Sequence, residues 1–450
     1  MKRARALAVL TGILPLLAAG LLLPRAAAQD DAISRLLRQT QGTLPDAKAK
    51  PAVGEGPAPA IAKTGPPPVV MSARIGEHED RTRLVIELSD PIALRAFSLT
   101  NPNRVILDMP EVVWRMGTPS VPSGRGLIKA YRYGLFRAGN SRMVVDLNRP
   151  ARLAQTLVIP PTAGFGYRVV IDLFPTTQTA FAADAGWPAD LKAREAAAER
   201  KAMLATAPAT AGKKVVVIDP GHGGIDPGTQ SAGGLLEKDL VLAEGLHLAK
   251  TLRARGFTVF MTRDKDIFIP LRDRVSFARA HHADLFISLH ADSNPDPEVN
   301  GLSVYTLSDG RSDREAAALA KRENQSDAIA GVDLSGGNSP VAPILIDLAQ
   351  RDTINKSSRF AEGALAQLAG ATDILARSPH RSASLAVLVA PDVPAVLIEL
   401  GYLSNRADAA QMRTEAWRSR VADAIATAAS RHLASDFRAA AATGTGTAKP

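Results

Sequence analysis

The spacing of apolar positions changes twice along the chain. In residues 69–174, apolar side chains alternate with polar ones or form short β-branched runs, and Asn-Pro, Gly and Asp-Pro turns separate them. Residues 82–88 and 168–173 are typical of these short strands. A series of such strands with no convincing helix predicts a small all-β sandwich domain over residues 69–175.

From residue 213 onward, short apolar strands alternate with longer segments of helical period. The predicted strands are residues 215–219, 258–262, 285–290, 303–306, 385–389 and 395–400, and the predicted helices are residues 238–255, 271–282, 313–330, 351–368 and 415–433. Apolar strands bracketed by helices predict an α/β domain, with a twisted, mostly parallel sheet flanked by helices on both faces. This second domain is predicted to span residues 213–435.

The segments outside these two domains have the composition of linkers and tails. Residues 29–68 are rich in Pro and Ala, and residues 176–212 are rich in Ala, Thr and charged side chains. Both are predicted to be linkers, the second with a short helix at residues 190–203. Residues 436–450 are predicted to be a disordered tail.

The first 28 residues have the layout of an export signal. A basic start is followed by an apolar stretch at residues 7–23 and by three alanines that end at Ala28. The alternative is a membrane anchor, but the apolar stretch is short and contains Pro15, which favours cleavage near Ala28. The arginines are not paired, which indicates the Sec route, and no cysteine follows that could carry a lipid. We expect a periplasmic protein with no stable membrane anchor after cleavage.

Composition limits the chemistry that the chain can perform. The sequence has no cysteine, so disulfides and thiolate metal ligands are excluded. The formal charge of +9 falls to +5 without the signal, because residues 1–28 hold four basic and no acidic side chains. A mildly basic chain suits an anionic polymer, but this charge is too small to predict nucleic-acid binding.

Two histidines follow predicted buried strands. His222 lies in a Gly-rich loop after residues 215–219, and His290 ends the strand at residues 285–290. Open α/β sheets place their ligands at the carboxyl edge, where both histidines are expected. A structural histidine in a turn is the alternative for His222. A phosphate loop is disfavoured, because no Gly-Lys-Ser/Thr ending follows the glycines.

Two glutamates complete the candidate site. Glu237 begins a predicted helix, where the helix dipole alone explains an acidic residue. With the two histidines, however, it forms a set of two imidazoles and one carboxylate that leaves one position open, as catalytic zinc sites do. Glu399 ends an apolar strand, where a buried carboxylate is costly without a partner, although a solvent-facing edge position is the alternative. It is the candidate general base and acid.

Four motifs together resemble the zinc-dependent N-acetylmuramoyl-L-alanine amidases of the amidase-3 family. They are DPGHGG with His222, LLEKDL with Glu237, SLHAD with His290 and LIELGYLSN with Glu399, and the similarity covers residues 213–434. The resemblance implies that Zn²⁺ is held by the two histidines and the first glutamate. It also implies hydrolysis of the amide between N-acetylmuramic acid and L-alanine of peptidoglycan, with Glu399 transferring the proton.

The β domain resembles the AMIN domain, which in such enzymes targets peptidoglycan, often at the division septum; the similarity rests on IGEHEDRTRLVIELSDP and NRVILDMP. Residues 312–350 correspond to an insertion that blocks the active site in regulated family members until a LytM-domain activator displaces it. By this resemblance Glu323 is the candidate blocking zinc ligand, with Glu315 second. An ordinary charged surface helix is the alternative.

Two other functions remain open at this point. A zinc peptidase acting within the stem peptide would use the same metal ligands, because specificity depends on the shape of the groove. A wall-binding scaffold that has lost catalysis is the other alternative, which the complete set of metal ligands disfavours.

Overall fold

Each of the two sequence patterns forms a domain in the computed structural model of the chain. The structure describes residues 66–116, 124–154, 156–162, 164–193, 212–308, 312–332 and 343–443, all of which belong to one compact unit. The predicted signal peptide, most of the first linker and the end of the predicted tail lie outside the described residues. None of the described helices is both long and apolar enough to cross a membrane.

The β domain is a sandwich of two sheets, as predicted. Its strands are β1 (Val69–Glu77), β2 (Thr82–Leu88), β3 (Arg95–Leu99), β4 (Arg104–Pro110), β5 (Val113–Trp114), β6 (Ile128–Arg137), β7 (Asn140–Leu147), β8 (Ala151–Leu153), β9 (Leu157–Ile159) and β10 (Tyr167–Pro175). The first sheet has the order β5-β1-β2-β10-β8, with β9 also on β10, and the second has the order β3-β4-β7-β6. Alternate side chains of both sheets meet in a shared apolar core.

A short helix, α1 (Gln178–Asp184), follows the sandwich inside the segment predicted as a linker. The hydroxyl of Thr177 caps it by accepting the amide of Ala180 at 3.2 Å. Trp187 packs edge-on against Phe97 of β3, with ring centroids 5.3 Å apart. The Ala-rich composition of this segment predicts a linker and gives no sign of the helix cap or of the Trp187 contact. Of the helix predicted at residues 190–203, residues up to 193 are described, and they are helical.

The second domain has the predicted α/β architecture. Its strands are β11 (Val215–Pro220), β12 (Thr258–Met261), β13 (Leu285–His290), β14 (Ser303–Leu307), β15 (His380–Ala383) and β16 (Ala395–Glu399), in the order β12-β11-β13-β16-β14-β15. Only the β14–β16 pair is antiparallel among the pairs of this sheet that the structure describes. The helices are α2 (Glu237–Ala254), α3 (Leu271–Ala280), α4 (Arg314–Glu323), α5 (Ser326–Ile329), α6 (Pro343–Leu368), α7 (Arg406–Met412) and α8 (Glu415–Thr443).

Helices cover both faces of this sheet. Helices α2, α6 and α8 pack on one face, in a core built on the side chains of Val216, Ile218 and Leu289. Helices α3 and α4 pack on the opposite face, with a short 3-10 turn at Ala386–Leu388. This two-sided burial explains why the strands read as continuous apolar runs rather than alternating ones.

Two predicted elements differ from the structure. The strand predicted at residues 385–389 is wrong: that apolar run forms the buried 3-10 turn, and the strand is the more polar β15. An apolar run shows that a segment is buried but does not distinguish a strand from a turn. The helix predicted at residues 313–330 is two helices, α4 and α5. Asn324 ends α4. Its side-chain amide donates to the carbonyl of Ser384, and its side-chain oxygen accepts the backbone amide of Ala386.

Candidate metal centre

The centre lies at the carboxyl edge of three adjacent parallel strands, β11, β13 and β16. The register of the last two places His290 directly beside Glu399. His222 lies in the loop after β11, with a positive φ of 57°. A histidine in this left-handed conformation carries some strain, which surrounding contacts must offset.

Two glycines of this loop allow the site residues to approach one another. A Cβ on Gly221 would lie 2.4 Å from the ring of His290. A Cβ on Gly228 would lie 2.6 Å from Glu237 Oε2 and 2.7 Å from His222 Cδ2, at a φ of +65°. No side chain fits at either position, so the glycines are required by the packing of the site.

Two buried arginines hold the backbone of the loop. Arg263 donates to the carbonyls of Pro220 at 2.9 Å and Gly221 at 2.7 Å. Arg274 donates to the carbonyl of His222 at 2.7 Å, and it also forms a buried ion pair with Asp219 at 2.7 Å. These bonds fix three consecutive loop carbonyls and therefore the position of the His222 ring.

Three side chains present one ligand atom each to a common point. Oε1 of Glu237 lies 3.1 Å from His222 Nε2 and 3.2 Å from His290 Nδ1. The three ligand atoms all lie within 4.8 Å of one another, and the three residues are buried. The structure thus brings together the histidines and the first glutamate that the motifs single out.

Neighbouring groups orient these ligands. His222 Nδ1 bonds Asp226 Oδ2 at 2.9 Å, which leaves Nε2 facing the common point. The carboxylate of Glu237 accepts the backbone amides of Thr229 at 2.8 Å and Ala291 at 2.9 Å. A carboxylate on the far nitrogen of a ligating histidine is the usual supporting arrangement of metal sites.

The electrostatics of the cluster favour a bound cation. Burial alone would lower the pKa of His222, but the carboxylates of Glu237, Asp226 and Glu323 raise it well above its ordinary value. Burial likewise opposes ionisation of Glu237, yet the two histidines hold its pKa well below the usual range. The buried atoms His222 Nε2 and His290 Nδ1 have no hydrogen-bond partner among the described residues. Unsatisfied imidazole nitrogens beside a carboxylate fit a divalent metal of the zinc type.

Glu399 lies next to this cluster and is fully buried. Its Oε2 accepts the amide of Asp292 at 3.0 Å, whereas Oε1 has no hydrogen-bond partner among the described residues. Burial, and then the carboxylates of Asp292, Glu323 and Glu237, raise the pKa of Glu399 well above its ordinary value. A carboxyl group that can hold a proton near neutral pH is what a general acid–base requires.

The last residue of α4 reaches the same point. Oε2 of Glu323 lies 3.0 Å from His290 Nδ1 and 3.5 Å from His222 Nε2, and its ligand atom clusters with those of His290 and Glu399. The structure does not bring Glu315 to this site. Glu315 is exposed at the other end of α4 and pairs with Arg381 at 2.7 Å.

Further contacts hold the end of α4 and the start of α5 against the site. Arg322 pairs with Asp292, which also accepts the hydroxyl of Thr229 at 3.1 Å. Ser326 donates to Asp226, the carboxylate that orients His222. The segment therefore contacts both the candidate metal ligands and the residues that orient them.

Sequence reasoning missed several of these residues. Asp226 lies four residues after His222, just beyond the DPGHGG motif, and Asp292 lies two residues after His290 and ends the SLHAD motif. Arg263 and Arg274 belong to the stretch TRDKDIFIPLRDRVSFAR, which lies between the motifs of Glu237 and His290. An acidic residue close to a candidate histidine is the signal that could have identified the first two.

The N-acetylmuramoyl-L-alanine amidase family (amidase-3) model matches residues 216–431, and the AMIN domain model matches residues 72–173. N-acetylmuramoyl-L-alanine amidase AmiC of Neisseria meningitidis is 34% identical over 415 residues, with 89% of this chain and 96% of that protein covered. AmiC of Escherichia coli is 33% identical over 375 residues, with 79% of this chain and 87% of that protein covered. The solved structure of AmiC2 of Nostoc punctiforme is 29% identical and has a TM-score of 0.38, with 50% of this chain and 98% of that chain covered.

The two AmiC proteins extend this similarity across both domains, and their identity exceeds 30% over nearly their whole length. The motif residues and the metal-facing cluster lie within the matched region. The chain therefore belongs to the N-acetylmuramoyl-L-alanine amidase family, with an AMIN domain in front of the amidase domain.

Proposed function

We propose that this protein is an exported zinc amidase that hydrolyses the amide between N-acetylmuramic acid and L-alanine in peptidoglycan. The observation that carries the proposal is the convergence of His222, Glu237 and His290 beside the buried Glu399. Metal ligands next to a carboxyl group with a raised pKa suit hydrolysis of an unactivated amide.

Zinc is the metal that this donor set favours. Two imidazoles and one carboxylate, with no cysteine in the chain, match the ligands of catalytic zinc sites. His222 would bind through Nε2, because Asp226 bonds its other ring nitrogen. His290 would bind through Nδ1, because this nitrogen faces Glu237. When bound, zinc supplies Lewis-acid polarisation of the scissile carbonyl.

Glu399 performs the proton transfers in this proposal. Its free Oε1 accepts a proton from water as the water oxygen bonds to the amide carbon. It then donates that proton to the amide nitrogen as the carbon–nitrogen bond breaks. The products are the free amino group of L-alanine and a lactyl carboxylic acid, which loses its remaining proton to solvent to become the carboxylate. The amide of Asp292 holds Oε2 and keeps the carboxyl group oriented.

The setting of the enzyme is proposed from its N-terminal regions. A Sec signal cleaved near Ala28 would deliver the chain to the periplasm, and the AMIN domain would bring it to peptidoglycan during cell separation at division. The signal lies outside the described residues. The AmiC relatives that match both domains support this assignment.

Autoinhibition by α4 is part of the proposal. Glu323 lies within 3.5 Å of ligand atoms of both histidines, where it occupies the position that substrate needs. The helix packs on the sheet through Ala316, Leu319 and Ala320, a mostly small contact that a partner protein can displace at moderate cost. We propose a LytM-domain protein as the activator.

The test of the reaction is digestion of purified peptidoglycan by the full chain, followed by mass analysis of the products. Glycan strands without stem peptides, and free stem peptides that begin with L-alanine, are expected. A chelator should abolish the reaction, and zinc should restore it. Peptides cut within the stem would show a peptidase, and the absence of products even with an activator would indicate a wall-binding scaffold.

The test of autoinhibition compares two glutamates of the same helix. Glu323→Ala should raise hydrolysis in the absence of an activator, because the variant no longer places a carboxylate at the metal ligands. Glu315→Ala is the matched control, since Glu315 is exposed and distant from the site, and its basal rate should not change. Equal rates for the wild type and both variants would rule out Glu323 as the blocking group.

A further inference from the structure

The segment that follows α4 contacts the β domain. Residues 328–331 present four consecutive backbone carbonyls to the outer face of the second β-sheet, and each carbonyl accepts a hydrogen bond from an arginine. Arg132 Nε donates to the carbonyl of residue 329 at 2.7 Å, and Arg142 Nη1 donates to those of residues 330 and 331 at 3.1 and 3.0 Å. Arg104 donates to the carbonyl of residue 328.

Two of these arginines are buried within the sheet, and two are held by carboxylates. Arg104 and Arg142 are only 2% and 1% exposed. Asp108 holds Arg142 with two bonds of 2.6 and 2.8 Å, and Asp146 holds Arg132 with bonds of 2.5 and 3.2 Å. The guanidinium groups of Arg132 and Arg142 are therefore preorganised to receive the segment, which reduces the entropy lost on contact.

Arg104 depends on the segment most strongly. Among the described residues, its side chain donates to the carbonyls of Pro102 and of residue 328, and no carboxylate contacts it directly. A buried guanidinium is costly unless its donors are satisfied. The segment thus supplies a second acceptor to a group that the described part of the β domain leaves with one, the carbonyl of Pro102.

Apolar contacts and close packing add to these bonds. Ala330 and Val332 join a buried cluster with Ile106 and Val144 of the second sheet. A Cβ on Gly331 would lie 2.5 Å from Ile106 Cδ1, at a φ of +70°, so the chain passes directly over the sheet. The contact is specific in both shape and hydrogen bonding.

We infer that the outer face of the second β-sheet is a docking surface for residues 328–332 of the same chain, and that this docking helps to hold α4 in the active site. The tether, as we call residues 328–332, begins five residues after Glu323. In the interval, Ser326 donates to Asp226 in the loop that carries His222, and Asp327 accepts the backbone amide of Leu271 at the start of α3. Release of α4 then requires the tether to leave the AMIN domain, which makes that domain part of the inhibitory device. This inference rests on the proposed autoinhibition.

The decisive variant removes two arginine bonds from the full, metal-loaded chain. In Arg104→Gln/Arg132→Gln, hydrogen exchange of residues 314–332 should become at least roughly tenfold faster, because bonds from charged donors are lost. Hydrolysis of purified peptidoglycan without an activator should rise with it. The rise should vanish in a Glu323→Ala background, where the block is already gone. Arg168→Gln is the matched control: this buried arginine lies on β10 of the first sheet and bonds Thr162, so neither readout should change.

A second variant acts from the side of the tether. Gly331→Val should also speed exchange and raise hydrolysis, because its side chain collides with Ile106. This variant tests the docking surface if the arginine variant fails to fold. Unchanged exchange in the folded variants would overturn the docking surface. If the tether variants exchange faster but hydrolyse no faster, while Glu323→Ala does raise hydrolysis, the coupling of the tether to α4 is overturned. If Glu323→Ala has no effect on hydrolysis, the proposed autoinhibition fails instead.

Discussion

At the scale of single residues, the site combines buried polar groups, each of which would be costly to bury without the others. Glu399 is fully buried with one carboxyl oxygen unsatisfied among the described residues, an arrangement that costs stability. The neighbouring carboxylates raise its pKa further. In the proposed mechanism this group transfers a proton, and its buried environment distinguishes Glu399 from an ordinary strand residue.

Replacement of Glu399 by Gln should keep the fold and the metal but remove proton transfer. We expect hydrolysis to fall by about 10²–10⁴-fold, since a positioned acid–base supplies an effect of this size. Metal content measured on the purified variant should equal that of the wild type. A variant that retains full activity would rule out the proposed role.

At the scale of elements, α2 supplies both the candidate metal ligand Glu237 and a second buried acid, Glu244. Glu244 faces the core near α8, and neither of its carboxyl oxygens has a hydrogen-bond partner among the described residues. Burial raises its pKa from the ordinary 4.5 to about 8. The helix therefore carries a carboxyl group that is neutral at moderate pH and becomes costly when it ionises.

This shift predicts a pH-dependent stability. Between pH 4.5 and 8, the folded state holds a proton on Glu244 that the unfolded state lacks. The contribution of this group to the free energy of unfolding is therefore fully present below pH 4.5 and is lost as the pH rises through 8. Relative to wild type, Glu244→Gln should gain roughly 4 kcal/mol in unfolding free energy from pH 4.5 to pH 9. Urea unfolding at the two pH values measures this gain.

The matched control for this prediction is Glu415→Gln, because Glu415 is exposed at the start of α8. Its difference from wild type should stay the same at both pH values. A constant difference for the Glu244 variant as well would show that the buried group does not titrate in this range.

At the scale of the whole molecule, the site joins parts of the chain that are distant in sequence. His222 follows β11, Glu237 begins α2 and His290 ends β13. The β domain also packs against the loop that carries His222: a Cβ on Gly134 of β6 would lie 2.5 Å from the carbonyl carbon of Gly224. A bound metal should therefore stabilise the folded arrangement as a unit.

Metal removal tests this expectation by calorimetry. A ligand that binds only the folded state at a thousand times its dissociation constant adds about 4 kcal/mol, so a chelator should lower the melting temperature by several degrees. Zinc should restore it. His290→Ala, which lacks one ligand, should show no such shift. An equal shift in that variant would place the metal elsewhere.

The sequence by itself determined the domain types and the residues that converge at the centre. Strand ends and glycines are local features, and the carboxyl edge of a parallel sheet brings His222, His290 and Glu399 together without further information. The role of Glu237 came from the family resemblance, because a glutamate at the start of a helix is ordinary.

Only the tertiary structure decided the remaining features. Residues 385–389 are apolar whether they form a strand or a turn, and the outcome depends on which segment pairs with β14. Arg104 and Arg142 look like solvent-facing strand residues in the sequence, but the outer face of their sheet is buried by the catalytic domain and the tether. The alternation of a strand shows that its faces differ, whereas what covers each face depends on contacts between residues some 200 positions apart.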